Sequence, residues 1–346
     1  MQQQITSTVE NKNFIYQGIF KTERGQEIKN LKINYSVSGK LNDKKDNTVW
    51  ICHGLTANSD AESWWPGMVG LGCIYNPEEY YIVCANIIGS CYGSSGPTEI
   101  NPDTNQPYFL DFPAVTIRDT VAAHDLLRIE LGIETIHSCL GASLGGQQAL
   151  EWAIMKPDLI RNLILMATNA FHSAHGIAYN EAQRMAIKAD PTWNEKNLEA
   201  GKNGMAAARA IALLSYRSYE TYDIKQKEDD CEKMDNFKAI SYQQYQGEKF
   251  VKRFNCHSYL AITYALDSHN VGRARGGVEK ALAIIKSKTL LVSISSDVLF
   301  PPHEQKFLQE HIKGASYSMI DSVYGHDGFL IETERITDIL KEFYNK

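Results

Sequence analysis

Short apolar runs punctuate the chain at residues 14–20, 31–37, 48–52, 80–86, 136–140, 163–167, 289–294 and 316–320, each of a length suited to a β-strand. Between several of them the period changes. From Thr116 onward, Ile117, Thr120, Val121, His124, Leu127 and Leu131 recur at three- and four-residue spacing, with Gly132 placed to end the helix they predict. Strands alternating with helices in this way predict an α/β fold, a mostly parallel sheet covered by helices on both faces. The alternation stops after Ala167 and resumes near Lys288. The interval is rich in Ala, Tyr, Lys, Asp and Glu and has no strand-like alternation, so it predicts an inserted helical lid. The expected division is a core of residues 1–168 and 287–346 with a lid of residues 169–286. The charged piece from Lys225 to Lys233 is expected on a solvated helix face or loop.

Composition narrows the function classes. A chain of 346 residues is long for one simple domain and natural for a core carrying an insertion. A net charge of -6 without a dense Lys/Arg block offers no general attraction for nucleic acid or an anionic membrane, and neither is an expected partner. The 7 cysteines lie far apart without a C-x-x-C, and Cys52, Cys84 and Cys139 fall in apolar runs where a thiol acts as a small hydrophobe. Residues 1–10 lack the basic and apolar regions of a signal peptide and no apolar run reaches the length of a membrane span, so a cytoplasmic location is expected.

The densest chemical signal is Gly141-Ala142-Ser143-Leu144-Gly145, which closes the apolar run Ile136-His-Ser-Cys-Leu140 and opens helix-forming sequence from Gly146 to Ala153. A serine on so tight a strand-to-helix turn presents its hydroxyl, and its flanking glycines let neighbouring backbone pass without a Cβ clash. A serine hydroxyl needs a histidine to take its proton and a carboxylate to fix that histidine's tautomer. Asp297 follows the run ending at Ile294, and His326 follows the next run, within Tyr324-Gly-His-Asp-Gly-Phe329. Loops at the carboxyl ends of sheet strands are where such sites assemble. Taken singly, Asp297 could cap a helix starting near Pro301 and His326 could be a turn residue between glycines; the ordered coincidence with the serine turn favours a triad of Ser143, Asp297 and His326. Donors for an oxyanion are expected from the backbone of Leu144 and of Leu55, in His53-Gly-Leu-Thr56, with His53 shaping that loop.

The chain resembles the homoserine O-acetyltransferases of the α/β-hydrolase superfamily in His53-Gly-Leu-Thr56, Trp64-Trp65, Gly89-Ser-Cys-Tyr-Gly93, Asp111-Phe-Pro113, Thr116-Ile-Arg-Asp119, Gln148-Ala-Leu-Glu-Trp152, Lys188-Ala-Asp-Pro191, Ser268-His-Asn-Val-Gly272 and Tyr324-Gly-His-Asp-Gly-Phe-Leu330. It departs at Ala142-Ser143-Leu144, where the family usually has Gly-Ser-Met; both exchanges keep small and apolar character. The resemblance implies ping-pong transfer of acetyl from acetyl-CoA, a co-substrate, through Ser143 to the hydroxyl of L-homoserine, with no bound cofactor and no metal. It also implies that Arg209 grips the homoserine carboxylate, that Tyr216 lines the pocket, that Asp327 accepts the ammonium, and that two subunits pair through their lids.

Other features divide less cleanly. His172-Ser-Ala-His175 has a spacing compatible with metal ligation but no evident carboxylate or cysteine partner. Gly272-Arg-Ala-Arg-Gly-Gly277 could meet CoA phosphates or form lid salt bridges, and the lid tyrosines Tyr242, Tyr245, Tyr259 and Tyr264 suit packing better than substrate contact. On the same scaffold, a succinyl donor or a serine acceptor are the alternatives. An esterase would leave Arg209 and Asp327 without a zwitterion to bind, and a non-catalytic binding protein would have no need of an intact triad.

Overall fold

The computed structural model describes residues 9–345; residues 1–8, most of the N-terminal stretch without a signal pattern, lie outside them. An 8-stranded sheet forms the centre. Its strands, in chain order, are β1 (Glu10–Ile15), β2 (Lys32–Ser38), β3 (Thr48–Cys52), β4 (Tyr81–Ala85), β5 (Ile136–Ala142), β6 (Ile160–Met166), β7 (Lys288–Ile294) and β8 (Ser316–Ile320). In space they run β1-β2-β4-β3-β5-β6-β7-β8. Strand β2 pairs antiparallel with both its neighbours, and every other pairing is parallel.

Side chains on β3 alternate between two hydrophobic layers, as a pleated strand buried on both sides requires. Trp50 and Cys52 join the layer beneath α1 (Ile117–Glu130) and α2 (Leu144–Met155), whereas Val49 and Ile51 join the layer with Trp65 and with Ile336, Leu340 and Phe343 of a C-terminal helix, Thr333–Asn345. Helix α1 begins at a capping box in which the Thr116 hydroxyl accepts from Asp119 N while the Asp119 side chain accepts from Thr116 N. Gly132, at φ 66°, follows its end.

The expected N-terminal run divides in two. Phe14 and Ile15 close β1, whereas Ile19–Lys21 forms a separate ribbon with Glu27–Lys29. The break falls where Gly18 lies beneath the Tyr16 ring, which occupies the space a Cβ would need. Strand β6 begins at Ile160, earlier than its apolar run, because Ile160 and Asn162 already pair with Ile136 and Ser138 of β5 while the exposed Arg161 breaks the run in hydropathy.

Between β6 and β7 the chain is helical: α3 (Ala174–Ala189), α4 (Lys202–Tyr216), α5 (Tyr219–Gln226), α6 (Lys238–Val251), α7 (Cys256–Asp267) and the short α8 (Val278–Leu282). Ser173, Ser218 and Asn255 start α3, α5 and α7 by accepting from Gly176 N, Thr221 N and Ser258 N. This segment has its own apolar centre, in which Ile187, Met205, Ala208, Phe250, Tyr259 and Leu260 meet Ile117 and Leu144 of the sheet-bearing part. Arg273 and Arg275 pair with Glu23 and Glu151, so the Gly272–Gly277 stretch forms ion pairs across to the core. Among the described residues no helix is long and apolar enough to cross a membrane.

Candidate active site

Ser143 stands alone between Ala142, the last residue of β5, and Leu144, the first of α2, with φ 58° and ψ -131°. Such a backbone is strained for a residue with a side chain, and the surroundings hold it. Ser143 N donates to Met166 O and Ala167 O, both at 3.1 Å, and the Thr168 hydroxyl donates to Ser143 O at 2.8 Å. Thr168 O in turn accepts from Gln305 Nε2 at 2.6 Å. Glycine at 145 is a steric requirement, since a Cβ there would overlap Cys52 O. Leu144 N–H belongs to the first turn of α2, whose amides have no acceptor within the helix.

Asp297 and His326 come from the loops after β7 and β8 and meet in the interior. His326 Nδ1 and Asp297 Oδ2 are 2.7 Å apart, and both residues are buried. The other carboxylate oxygen, Oδ1, accepts from Leu299 N at 2.8 Å and Phe300 N at 2.9 Å. One side chain therefore does both things its position allowed: it organises the turn before helix α9 (Pro302–His311) and holds the imidazole. The His326 ring stacks on Phe300 at 5.1 Å and meets Phe329 edge-on at 5.3 Å, which leaves Nε2 to face elsewhere.

A cavity of about 510 Å³ opens beside them, and Ser143, His326, Leu55, Arg209, Tyr216 and Asp327 all line it. Tyr216 packs against the His326 ring at 6.0 Å, and the Arg209 guanidinium lies over the Tyr216 ring at 5.6 Å and the Phe250 ring at 5.0 Å. Arg209 Nε is buried without a hydrogen-bond partner. No carboxylate among the described residues pairs with Arg209, whereas Asp327 Oδ2 is paired with Arg217 Nε at 3.2 Å. That ion pair gave no sign in the sequence beyond the adjacency of Tyr216 and Arg217.

Leu55 lies in the loop after β3. The His53 ring sits beneath this loop, fully buried, accepting from Ile87 N at Nε2 (3.2 Å) and therefore donating from Nδ1 to Gly54 O (2.8 Å). Burial pushes the His53 pKa down to about 4, so the ring is neutral and its tautomer is set by these two bonds. Ala57 N also reaches Gly54 O, and Gln148 Nε2 reaches His53 O at 3.0 Å. A trans peptide plane carries its carbonyl and its following N–H in opposite directions, so fixing Gly54 O fixes Leu55 N–H.

His172 also lines the cavity, its Nε2 3.2 Å from Asn180 Nδ2, whereas His175 packs on Tyr179. Tyr259 donates to Gln183, Tyr264 lies beneath Arg184, Tyr242 lies beneath Arg217, and Tyr245 is exposed.

Residues 47–333 match the alpha/beta hydrolase fold family. The homoserine O-acetyltransferase of Cyclobacterium marinum is 44% identical over 331 residues, 96% of this chain and 94% of that one. The chain belongs to the homoserine O-acetyltransferase family. Among solved structures, the homoserine O-acetyltransferase of Bacillus anthracis superposes with a TM-score of 0.90 at 22% identity, covering 98% of each chain. Esterase E22 superposes with 0.88 at 25% identity, covering 97% of this chain and 100% of that one. Backbone shape is thus common to this homoserine O-acetyltransferase and this esterase.

Proposed function

We propose that this protein transfers an acetyl group from acetyl-CoA to the hydroxyl of L-homoserine, using Ser143, His326 and Asp297 as its triad. With Nδ1–H directed to Asp297, His326 presents Nε2 as the base. His326 takes the Ser143 proton as Ser143 Oγ attacks the thioester carbon; the C–S bond breaks and the thiol leaves with that proton. Homoserine then gives its hydroxyl proton to His326 and attacks the acetyl-serine, and the proton returns to Ser143. Leu55 N–H and Leu144 N–H serve the oxyanion in both halves.

The observation that carries this reading is Arg209, a half-buried guanidinium whose buried Nε has no hydrogen-bond partner and which pairs with no carboxylate among the described residues, facing the cavity that holds Ser143. A buried donor left without an acceptor is costly, and a ligand carboxylate would supply the missing partner in a two-pronged geometry. Asp327, across the same cavity, offers its second carboxylate oxygen to the ammonium. Helices of residues 169–286 act as the lid that brings Arg209 and Tyr216 over the triad.

The exposed Tyr219, Ile224 and Met234 at 80%, 69% and 87% exposure support pairing of two such lids in a homodimer, for which light scattering at micromolar concentration would return twice the chain mass. Incubation with acetyl-CoA alone should add one acetyl group at Ser143, and addition of homoserine should remove it as O-acetylhomoserine. A steady-state comparison of acetyl-CoA with succinyl-CoA, and of homoserine with serine, tests donor and acceptor together; preference for succinyl-CoA or for serine would overturn the assignment.

A further inference from the structure

Arg253 lies just beyond α6 in the helical segment, yet its side chain ends in the sheet-bearing part of the molecule. Nη1 donates to Thr56 O and to Tyr92 OH, each at 2.6 Å. Its backbone is tied to the same region, since Cys91 Sγ donates to Arg253 O at 3.6 Å. Its guanidinium also rests on the Phe250 ring, 5.1 Å from the centroid, the same ring that carries the Arg209 guanidinium.

Thr56 follows Leu55, which lines the cavity beside Ser143. The turn from Gly54 to Ala57 is closed by Ala57 N on Gly54 O, and His53 holds that carbonyl from the sheet side. From the other side, Thr56 O is held by Arg253. Gly54 has no atom within 4 Å of where a Cβ would stand, so packing on that flank does not fix the loop. The Leu55 side chain packs on the apolar cluster of the helical segment, and hydrogen bonds from His53 and Arg253 tie the loop's backbone.

We infer that Arg253 is a positioning residue for the oxyanion donor: the helical segment completes the catalytic geometry by bracing the Leu55 loop, in addition to forming the substrate pocket. The inference rests on the triad reading above but on neither the acetyl donor nor the homoserine acceptor. An oxyanion forms when Ser143 is acylated by any ester and again when the acyl group leaves, so loosening Leu55 slows both steps for every substrate. A residue that binds CoA or homoserine affects one step and one substrate.

The test is rapid-quench kinetics on the full-length protein with Arg253→Ala, Arg253→Lys and, as a control, Lys196→Ala, which removes an exposed tie between the helical segment and Asp111. Loss of an oxyanion donor outright costs about 100- to 1000-fold, so its loosening in Arg253→Ala should cost about 10- to 100-fold. The same factor should appear in Ser143 acetylation by acetyl-CoA, in acetylation by p-nitrophenyl acetate and in deacylation. KM values should stay within about two-fold, since the interaction lost belongs to the transition state. Lysine, which can reach Thr56 O with one donor, should restore part of the rate, and Lys196→Ala should match wild type in all three steps. A loss confined to acetyl-CoA, carried by KM, would make Arg253 a donor-binding residue and overturn the inference; so would unchanged rates, or a melting temperature that falls in Arg253→Ala without rescue by lysine. If wild type acetylates Ser143 but does not pass the group to homoserine, the proposed function fails while the p-nitrophenyl acetate comparison still decides the role of Arg253.

Discussion

The sheet and the helical segment meet at one cavity but reach their functional geometry differently. On the sheet side each placement is local and redundant: Ser143 is held by two backbone acceptors and a threonine hydroxyl, and Asp297 by two backbone amides and an imidazole. On the helical side aromatic faces carry the cations, with Arg217 and Arg253 also donating to Asp327 and to Thr56 O and Tyr92 OH. Arg209 lies on Tyr216 and Phe250, Arg217 on Tyr242 and Arg253 on Phe250. Cation–π contacts position a charge without consuming its hydrogen-bond donors. The sheet side therefore suits chemistry that must be the same at every turnover, and on the helical side Arg209, held by ring faces alone, suits recognition because its donors remain free for a ligand.

The sharpest way to break this contrast is Asp297→Asn. Loss of the carboxylate's charge, and of its fixed tautomeric preference at His326, should slow both half-reactions; the same change in the triad of a serine protease costs about ten-thousandfold in kcat, which sets the scale expected here. Turnover near wild type would move the acid to another residue. Arg209→Ala should by contrast leave Ser143 acetylation by acetyl-CoA nearly intact and weaken the homoserine step, by roughly 2 to 5 kcal/mol in acceptor binding. Equal damage to the two half-reactions would mean that Arg209 supports the fold of the helices. Gly145→Ala attacks the sheet side through sterics alone: the new methyl overlaps Cys52 O, and relief by moving α2 off β3 should cost about 1 to 3 kcal/mol of stability, visible in chemical denaturation. Stability equal to wild type would show the contact to be slack.

The smallest effect concerns Glu304 on α9. Burial pushes its carboxyl from 4.5 up to about 7, with Asn169 donating to it at 3.0 Å and the Asp297 charge adding to the rise. Because the folded state holds this proton more tightly than the unfolded chain, the fold loses stability as pH climbs from about 4.5 to about 7. Glu304→Gln removes that loss, so its melting temperature should exceed wild type at pH 8 and not at pH 4. The same difference at both pH values would refute the titration.

Much of this was readable along the chain because it depends on neighbours in sequence. A glycine-flanked serine after an apolar run, an aspartate after β7 and a histidine after β8 announce themselves through strand ends and turn chemistry, and His53 shapes its own loop, as its place there suggests, by bonding Gly54 O. Arg253 carried no such mark. Its meaning lies in Thr56, 197 residues away, and no local pattern encodes that contact. The pairing of Asp327 with Arg217 and the Gln305–Thr168 brace were hidden for the same reason. At the N-terminus the apolar run over residues 14–20 is continuous in hydropathy but not in space, because Gly18 under the Tyr16 ring turns the chain out of the sheet.

The loop that carries His326 has a further property. Gly325, at φ 64°, lies so close to Tyr216 O and Ser218 N that no side chain fits, and Val323 O accepts from both Ser218 and Thr221. A chimera that exchanged the helices of this chain for those of a hydrolase with the same core would therefore inherit more than a new specificity. It would also receive a foreign seat for its own histidine, and the graft would retain chemistry only where the donor helices bring hydroxyls to the same carbonyl and room for the same glycine.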